Sequence, residues 1–285
     1  MSLFDRVISI TVGKKGTEEG LSFSDSRSTF AIKKTSKEET NTADVEIYNL
    51  SESTREKFNS IDNIVTIQAG YANFGGEKIL FVGNILDYST IKNKADVILK
   101  LKLGDGAKQL NETSFSKSYK EGTSGWTVLD DIIKKLGLPK NVTEKVSRLL
   151  SSKGEQYANA LSMTGLAKDQ LDKVMTKLQL EYSVQNGKLK ILDKDGIDDE
   201  NIVLLDSDSG LIGHPIKKTK KKNNKKIVGY DIRSLLRPEI EPANQIAVNS
   251  FNIKNGLFRV ESIDHRGDNY GNDWTSEMFC VEYKA

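Results

Sequence analysis

The chain is short of the residues that build most reactive or membrane-spanning proteins. Its 285 residues include one cysteine, two histidines, four prolines and two tryptophans. A single cysteine, Cys280, excludes an internal disulfide and fits assembly in a reducing cytoplasm. Its neighbours Phe279 and Val281 mark a strand position without a redox role. No run approaches the ~18 apolar residues of a membrane span, and the first residues, 1–6, lack the apolar centre of a secretion signal. Formal net charge is only +2, so charge alone favours neither nucleic acid nor an anionic membrane as partner. Apolar residues make up 37% and charged residues 29%. With clear strand periodicity this means small domains with much surface rather than disorder.

What is present is mostly β-structure. Ile8, Ile10 and Val12 alternate with mostly polar residues. So do Phe30 and Ile32; Ala43, Val45 and Ile47; Val65, Ile67, Ala69 and Tyr71; and Val97, Leu99, Leu101 and Leu103. A period of two puts one face on a core. The continuous run 79–86 predicts a strand covered on both faces. Ser51 or Ser53 caps one short helix ending near Phe58. The polar segment 33–42 reads as a long loop or hairpin tip, either solvated or reaching a neighbouring subunit. Several short strands with few helices suggest a sandwich or barrel.

The middle changes character. Leu129, Ile132, Ile133 and Leu136 form one helix face, stopped by Gly137 and Pro139. Val142, Val146, Leu149 and Leu150 predict a second helix, and Leu171, Val174, Met175 and Leu178 a third. Asn186-Gly187 between alternating runs is a strong hairpin signal. Residues 193–200 read as an acidic linker. Beyond it the chain is β again. A second Asn-Gly, Asn255-Gly256, predicts a hairpin joining Phe251 and Ile253 to Phe258 and Val260. The fold class is β-rich and multidomain, α+β: 1–107 and 197–285 are β domains and 108–196 is a small α/β domain. Asn63-Ile64-Val65-Thr66-Ile67 before Leu80-Phe81-Val82-Gly83 resembles Asn244-Gln245-Ile246-Ala247-Val248 before Leu257-Phe258-Arg259-Val260. Duplication and chance both account for that likeness. If duplicated, the chain carries two related β domains with the α/β domain between them.

No residue is assigned a catalytic, cofactor-binding or metal-ligating role, and no cofactor is implied. Asp264, His265, Asp268 and Asp273 cluster, but Gly267, Asn269, Gly271 and Asn272 among them indicate turn chemistry rather than zinc. His214 lies apart from them, between Gly213 and Pro215. Asp130-Asp131 sits beside Lys134 and Lys135 and predicts i,i+4 ion pairs; Asp198-Asp199 falls in the linker. Neither pair argues for a glycosidase. Gly210 and Gly213 are no phosphate cradle, since Pro215 follows and no helix starts. Residues 217–226 hold seven lysines. They read as a solvated hairpin tip between Ile216 and Ile227, as a docking contact for an acidic neighbour, or as a phosphate contact. No interleaved aromatics support base stacking.

The order of turn and strand motifs in 209–274 is distinctive. It runs Ser209-Gly210-Leu211-Ile212-Gly213-His214-Pro215, then Gly229-Tyr230-Asp231-Ile232-Arg233-Ser234-Leu235-Leu236-Arg237-Pro238. Asn255-Gly256-Leu257-Phe258-Arg259-Val260, His265-Arg266-Gly267-Asp268 and Gly271-Asn272-Asp273-Trp274 follow. This order resembles the baseplate hub, or tail-tip hub, proteins of tailed phages and related prophage tails. The strand at 41–50, Ala69-Gly70-Tyr71 and Leu80-Phe81-Val82-Gly83 add to the likeness. The resemblance implies two tail-tube-like β domains and a homotrimer placed between the tail tube protein and the central spike protein. It further implies tape measure and baseplate wedge proteins as neighbours, a place in the virion tail and assembly in the host cytoplasm. It implies no membrane contact, no specific nucleic-acid recognition and no enzyme activity. The lysine-rich 217–226 departs from the shorter, less basic loop that the family pattern implies there. Two other readings stay open: a tail-associated peptidoglycan hydrolase, and a nucleic-acid-binding module acting through 217–226.

Overall fold

The computed structural model describes residues 5–14, 20–58, 63–151, 156–222 and 225–283. The first third forms β1 (Arg6–Lys14), β2 (Gly20–Phe23), β3 (Ser28–Thr35), β4 (Thr42–Tyr48), helix α1 (Glu52–Glu56), β5 (Asn63–Tyr71), β6 (Gly76–Asn93) and β7 (Asp96–Gly104). Alternation produces these strands. Ile8, Ile10, Phe30, Ile32, Val45, Ile47, Val65, Ile67, Leu99 and Leu101 all point into one core. Ser51 caps α1, its Oγ accepting the Thr54 N–H at 3.3 Å.

The run 79–86 is apolar for a different reason than two-sided cover. Leu80 is an extra residue in β6, between Ile79 opposite Gln68 and Phe81 opposite Ile67. Both Leu80 and Phe81 therefore turn inward. Leu86 is a second extra residue, opposite the step from Leu103 to Lys102 in β7. Bulges shift a strand's facing by one residue, so Ile79 and Leu86 end up exposed, at 48% and 51%.

The middle third comprises α2 (Ala107–Glu112), β8 (Ser114–Tyr119), α3 (Gly125–Leu136), β9 (Lys140–Val142), α4 (Glu144–Ser151), β10 (Leu161–Leu166), α5 (Ala167–Leu178), β11 (Leu180–Gln185) and β12 (Lys188–Asp193). The apolar faces of α3 and α5 pack on one another and on β8, β10, β11 and β12 in a separate core. Val142 belongs to β9, which pairs with β12, rather than to the helix after it. The side chains of Leu149 and Leu150 lie outside the described ones. Asn186 and Gly187, with φ of 53° and 78°, make the β11–β12 turn.

The last third forms β13 (Asp198–Leu205), β14 (Leu211–Lys222), β15 (Lys225–Leu235), β16 (Asn244–Val248), β17 (Gly256–Asp268) and β18 (Trp274–Glu282). A third core gathers Val203, Leu205, Ile232, Ile246, Val248, Phe258, Val260, Ile263, Met278 and Cys280. Two readings of this part change. Asn255-Gly256 is not a two-residue hairpin turn. Seven residues, 249–255, separate β16 from β17, Ser250 accepts the Ile253 N–H on its Oγ, and Phe251 is 96% exposed. The acidic segment 193–200 is not a free linker either, because Asp198 opens β13 and is buried opposite Asn244.

One 13-stranded sheet runs through the first and last thirds in the order β14-β15-β18-β17-β3-β4-β7-β6-β5-β1-β2, with β16 also on β17 and β13 on β16. The strand order β1-β5-β6-β7-β4-β3 recurs as β13-β16-β17-β18-β15-β14, matched strand for strand in chain order once β2 is set aside. The outermost pair differs in direction: β1 and β5 are antiparallel, β13 and β16 parallel. The two modules join where β17 pairs with β3, from Ser262 opposite Thr35 to Asp268 opposite Thr29. β17 is long enough to serve both modules. Trp274 and Leu236 accordingly pack in the first core, with Trp274 edge-on to Phe30 at 5.5 Å.

Candidate assembly surface

The polar segment 33–42 forms a contact within the chain. β3 continues to Thr35, and the tip of the β3–β4 hairpin meets the β11–β12 hairpin. Asn41 donates to the Val184 carbonyl at 2.6 Å and to Gln185 at 2.9 Å, and Gln185 returns a bond to the Thr35 carbonyl at 2.8 Å. Lys34 has no exposed side-chain surface; its Nζ donates to Asn186 Oδ1 at 3.0 Å and lies 3.6 Å from Glu241. Burial lowers the Lys34 pKa and Glu241 opposes that shift. Asn186 also donates to Glu241 at 2.6 Å.

Further buried charges extend this junction. Asp105 accepts the N–H groups of Asn186 and Gly187 at 2.6 and 2.8 Å, while burial pushes its carboxyl up to about 6. Lys190 pairs with Asp198 and approaches Glu241 at 3.8 Å. Arg259 donates to the Gly196 carbonyl at 2.6 Å and pairs with Glu181 and Glu261. Burial raises Glu181 to about 7, against the pull of Arg259. These groups come from all three thirds of the chain. Buried charges persist only when paired, and losing one partner leaves the other uncompensated. The junction therefore fixes the modules to one another.

The residues of the acidic and histidine clusters fall in strands, a turn and a helix. His265 stands inside β17 between Ile32 of β3 and Ser276 of β18, fully buried, with Nδ1 2.8 Å from Ser276 Oγ. Burial, with Lys34 nearby, lowers its pKa well below 6.5. The turn proper starts only at Asp268, which accepts the Tyr270 N–H at 2.9 Å and pairs with Arg27 at 2.8 Å. His214 sits in a bulge of β14, on another strand. Asp130 pairs with Lys134 and Lys140, both at 2.7 Å. Asp131 turns to Lys117 at 2.7 Å rather than to Lys135. Among the described residues no group of three or more His, Cys, Asp or Glu could hold a metal ion, and no helix is long and apolar enough to cross a membrane.

The lysine-rich segment is the paired end of a hairpin, as one of its sequence readings expects. β14 and β15 stay paired from Lys217 opposite Tyr230 to Lys222 opposite Lys225. Lys218 pairs with Asp231, and Lys220 lies 4.0 Å from the centre of the Phe279 ring. The outer edge of β14 has no partner strand among the described residues. A second open edge belongs to β6, which beyond Asn84 pairs only with β7 among the described residues. Leu86, Tyr88 and Ile91 are exposed there. Unpaired edges with apolar side chains are templates for strand addition. The lysine run 217–226 marks the β14 edge in the sequence, and no clustered signal marks the β6 edge.

No protein-family model and no curated protein matches the chain. Solved structures do. A tail protein from Neisseria meningitidis MC58 is similar with a TM-score of 0.65 at 11% identity, over 98% of this chain and 97% of that one. The 43 kDa tail protein of prophage MuSo2 from Shewanella oneidensis gives 0.64 at 10% identity, over 96% of both chains. The E. coli c3393 protein gives 0.60 at 10% identity, over 96% of this chain and 77% of that one. It is described as a type VI secretion component structurally similar to the phage T4 tail proteins gp27 and gp5. Along nearly its whole length, this chain has the β-rich fold of phage tail proteins.

Proposed function

We propose that this chain is a structural protein of a phage or phage-derived tail, a homotrimeric hub that joins the sixfold tail tube to the threefold central spike. The observation that carries this reading is the recurrence of one strand order in two modules of a single sheet. In this reading each module is tail-tube-like, and three copies bring six such modules around one axis, the closed symmetry a tube end needs. The charged junction makes each chain a rigid pair of modules. Its partners are the tail tube and central spike proteins, with tape measure and wedge proteins adjoining, and its place is the virion tail after assembly in the host cytoplasm. The role is mechanical, with no reaction catalysed.

Light scattering on the purified protein tests the oligomer, and zymography on peptidoglycan tests the alternative. The hub reading expects about three times the chain mass of 31.7 kDa and no zone of clearing. A monomer at every concentration, or a cleared zone, contradicts it.

A further inference from the structure

The two sheet modules correspond residue by residue through their pairing. β6 carries its extra residue Leu86 opposite the step from Leu103 to Lys102; β17 carries Glu261 opposite the step from Cys280 to Phe279. Aligning the bulges brings residues 87–93 of β6 onto Ser262 to Asp268 of β17. An independent check holds: Asp44, opposite Lys102, falls on Asp231, opposite Phe279.

The correspondence exposes an incomplete seam. In β17 the aligned stretch is flanked by β18 and by β3, and Ile263 and His265 are buried. In β6 it is flanked, among the described residues, by β7 alone, and every residue from 87 to 93 is exposed. The strand that corresponds to β3 in the second module is β14, whose outer edge is also open. Each chain thus carries the two halves of a second β17–β3 seam, one in each module.

We propose that β14 of one copy pairs antiparallel with residues 87–93 of β6 in the next copy, reproducing the internal seam. This rests on the trimer reading above, and names the surface that closes the ring: three internal seams and three between copies. Transferring the β17–β3 register places Lys220 opposite Asp87, Thr219 opposite Tyr88, Lys218 opposite Ser89, Lys217 opposite Thr90 and Ile216 opposite Ile91. The result is chemically matched. Ile91 and Ile216, 39% and 59% exposed in the single chain, cover one another, and Asp87 meets a lysine. The lysines of β14 have a second effect: a basic edge discourages pairing with indiscriminate partners.

Cysteine pairs test the register, since the native Cys280 is buried and does not compete. Ile91→Cys with Ile216→Cys in one chain should give, on mild oxidation, a nonreducing ladder ending at three linked chains. Asp87→Cys with Lys220→Cys should behave alike. Thr90→Cys with Ile216→Cys, which the register places one residue out and on opposite faces, should crosslink at least tenfold less. All these side chains are on the surface, so the variants should fold; circular dichroism and light scattering check this. A trimer that forms without the Ile91–Ile216 or Asp87–Lys220 links, or links equally through the control pair, overturns the seam while leaving the hub reading standing. A monomer overturns both.

Discussion

At the scale of the residue, the junction charges set the behaviour. Glu241 faces Lys34, Lys190 and Asn186 at once. Glu241→Ala removes the carboxylate 3.6 Å from the buried Lys34 ammonium, leaving it the more distant charge of Asp105, and should cost about 3–5 kcal/mol in denaturant unfolding. Lys34→Met removes the charge along with its burial and should cost less, under about 2 kcal/mol. His265 adds a pH dependence with a definite sign. Its folded pKa lies below 6.5, so below pH 6.5 the unfolded chain takes up a proton that the folded chain refuses. Its contribution to stability is therefore lost as pH falls through 6.5, at about 1.4 kcal/mol per pH unit. Asp105 and Glu181, raised to about 6 and about 7, act oppositely: each favours the fold more as pH falls from those values toward 4. The measurement is the difference in unfolding free energy between wild type and His265→Leu across pH 5–7.5. The variant should gain on the wild type as pH drops.

These residues were not legible in the sequence. Lys34, Glu181, Lys190, Glu241 and Arg259 are scattered over more than two hundred positions, and each alone reads as a solvent-facing charge. Helix faces such as Leu129, Ile132, Ile133 and Leu136 were legible because their partners lie within two turns. The Asn186-Gly187 turn was legible because positive φ at two successive residues is a local demand.

At the scale of the element, periodicity located most strands of the large sheet, but bulges hid their facing. The apolar run 79–86 looked doubly covered because Leu80 and Leu86 each add a residue. In β14, residues 213–215 stand together opposite Ile232, which breaks the strand's alternation just before the lysines. The β17–β3 seam depends on close approach at Gly267, where a Cβ would collide with Phe30 and Trp274. Gly267→Ala should destabilise the chain by about 1–3 kcal/mol, read as a lower thermal midpoint with a red shift or broadening of tryptophan fluorescence as the buried Trp274 is displaced. Replacing Lys217, Lys218 and Lys220 by Ser should leave the thermal midpoint of the single chain nearly unchanged. The same change should weaken association between copies, measured by sedimentation equilibrium.

At the scale of the whole molecule, the likeness between Asn63-Ile64-Val65 and Asn244-Gln245-Ile246 marks corresponding strands, β5 and β16. The second half of that likeness was misaligned by two residues: the pairings put Val82 and Gly83, rather than Leu80 and Phe81, on Leu257 and Phe258. What no single stretch of sequence could reveal is that the two modules share one sheet, because the joining strands β3 and β17 are more than two hundred residues apart. The central claim is that this doubled sheet lets three chains present six equivalent modules. Electron-microscope class averages of the particle viewed down its axis test it most directly. The account predicts one ring of six similar lobes from three chains; a ring with three lobes, or no ring at all, contradicts it.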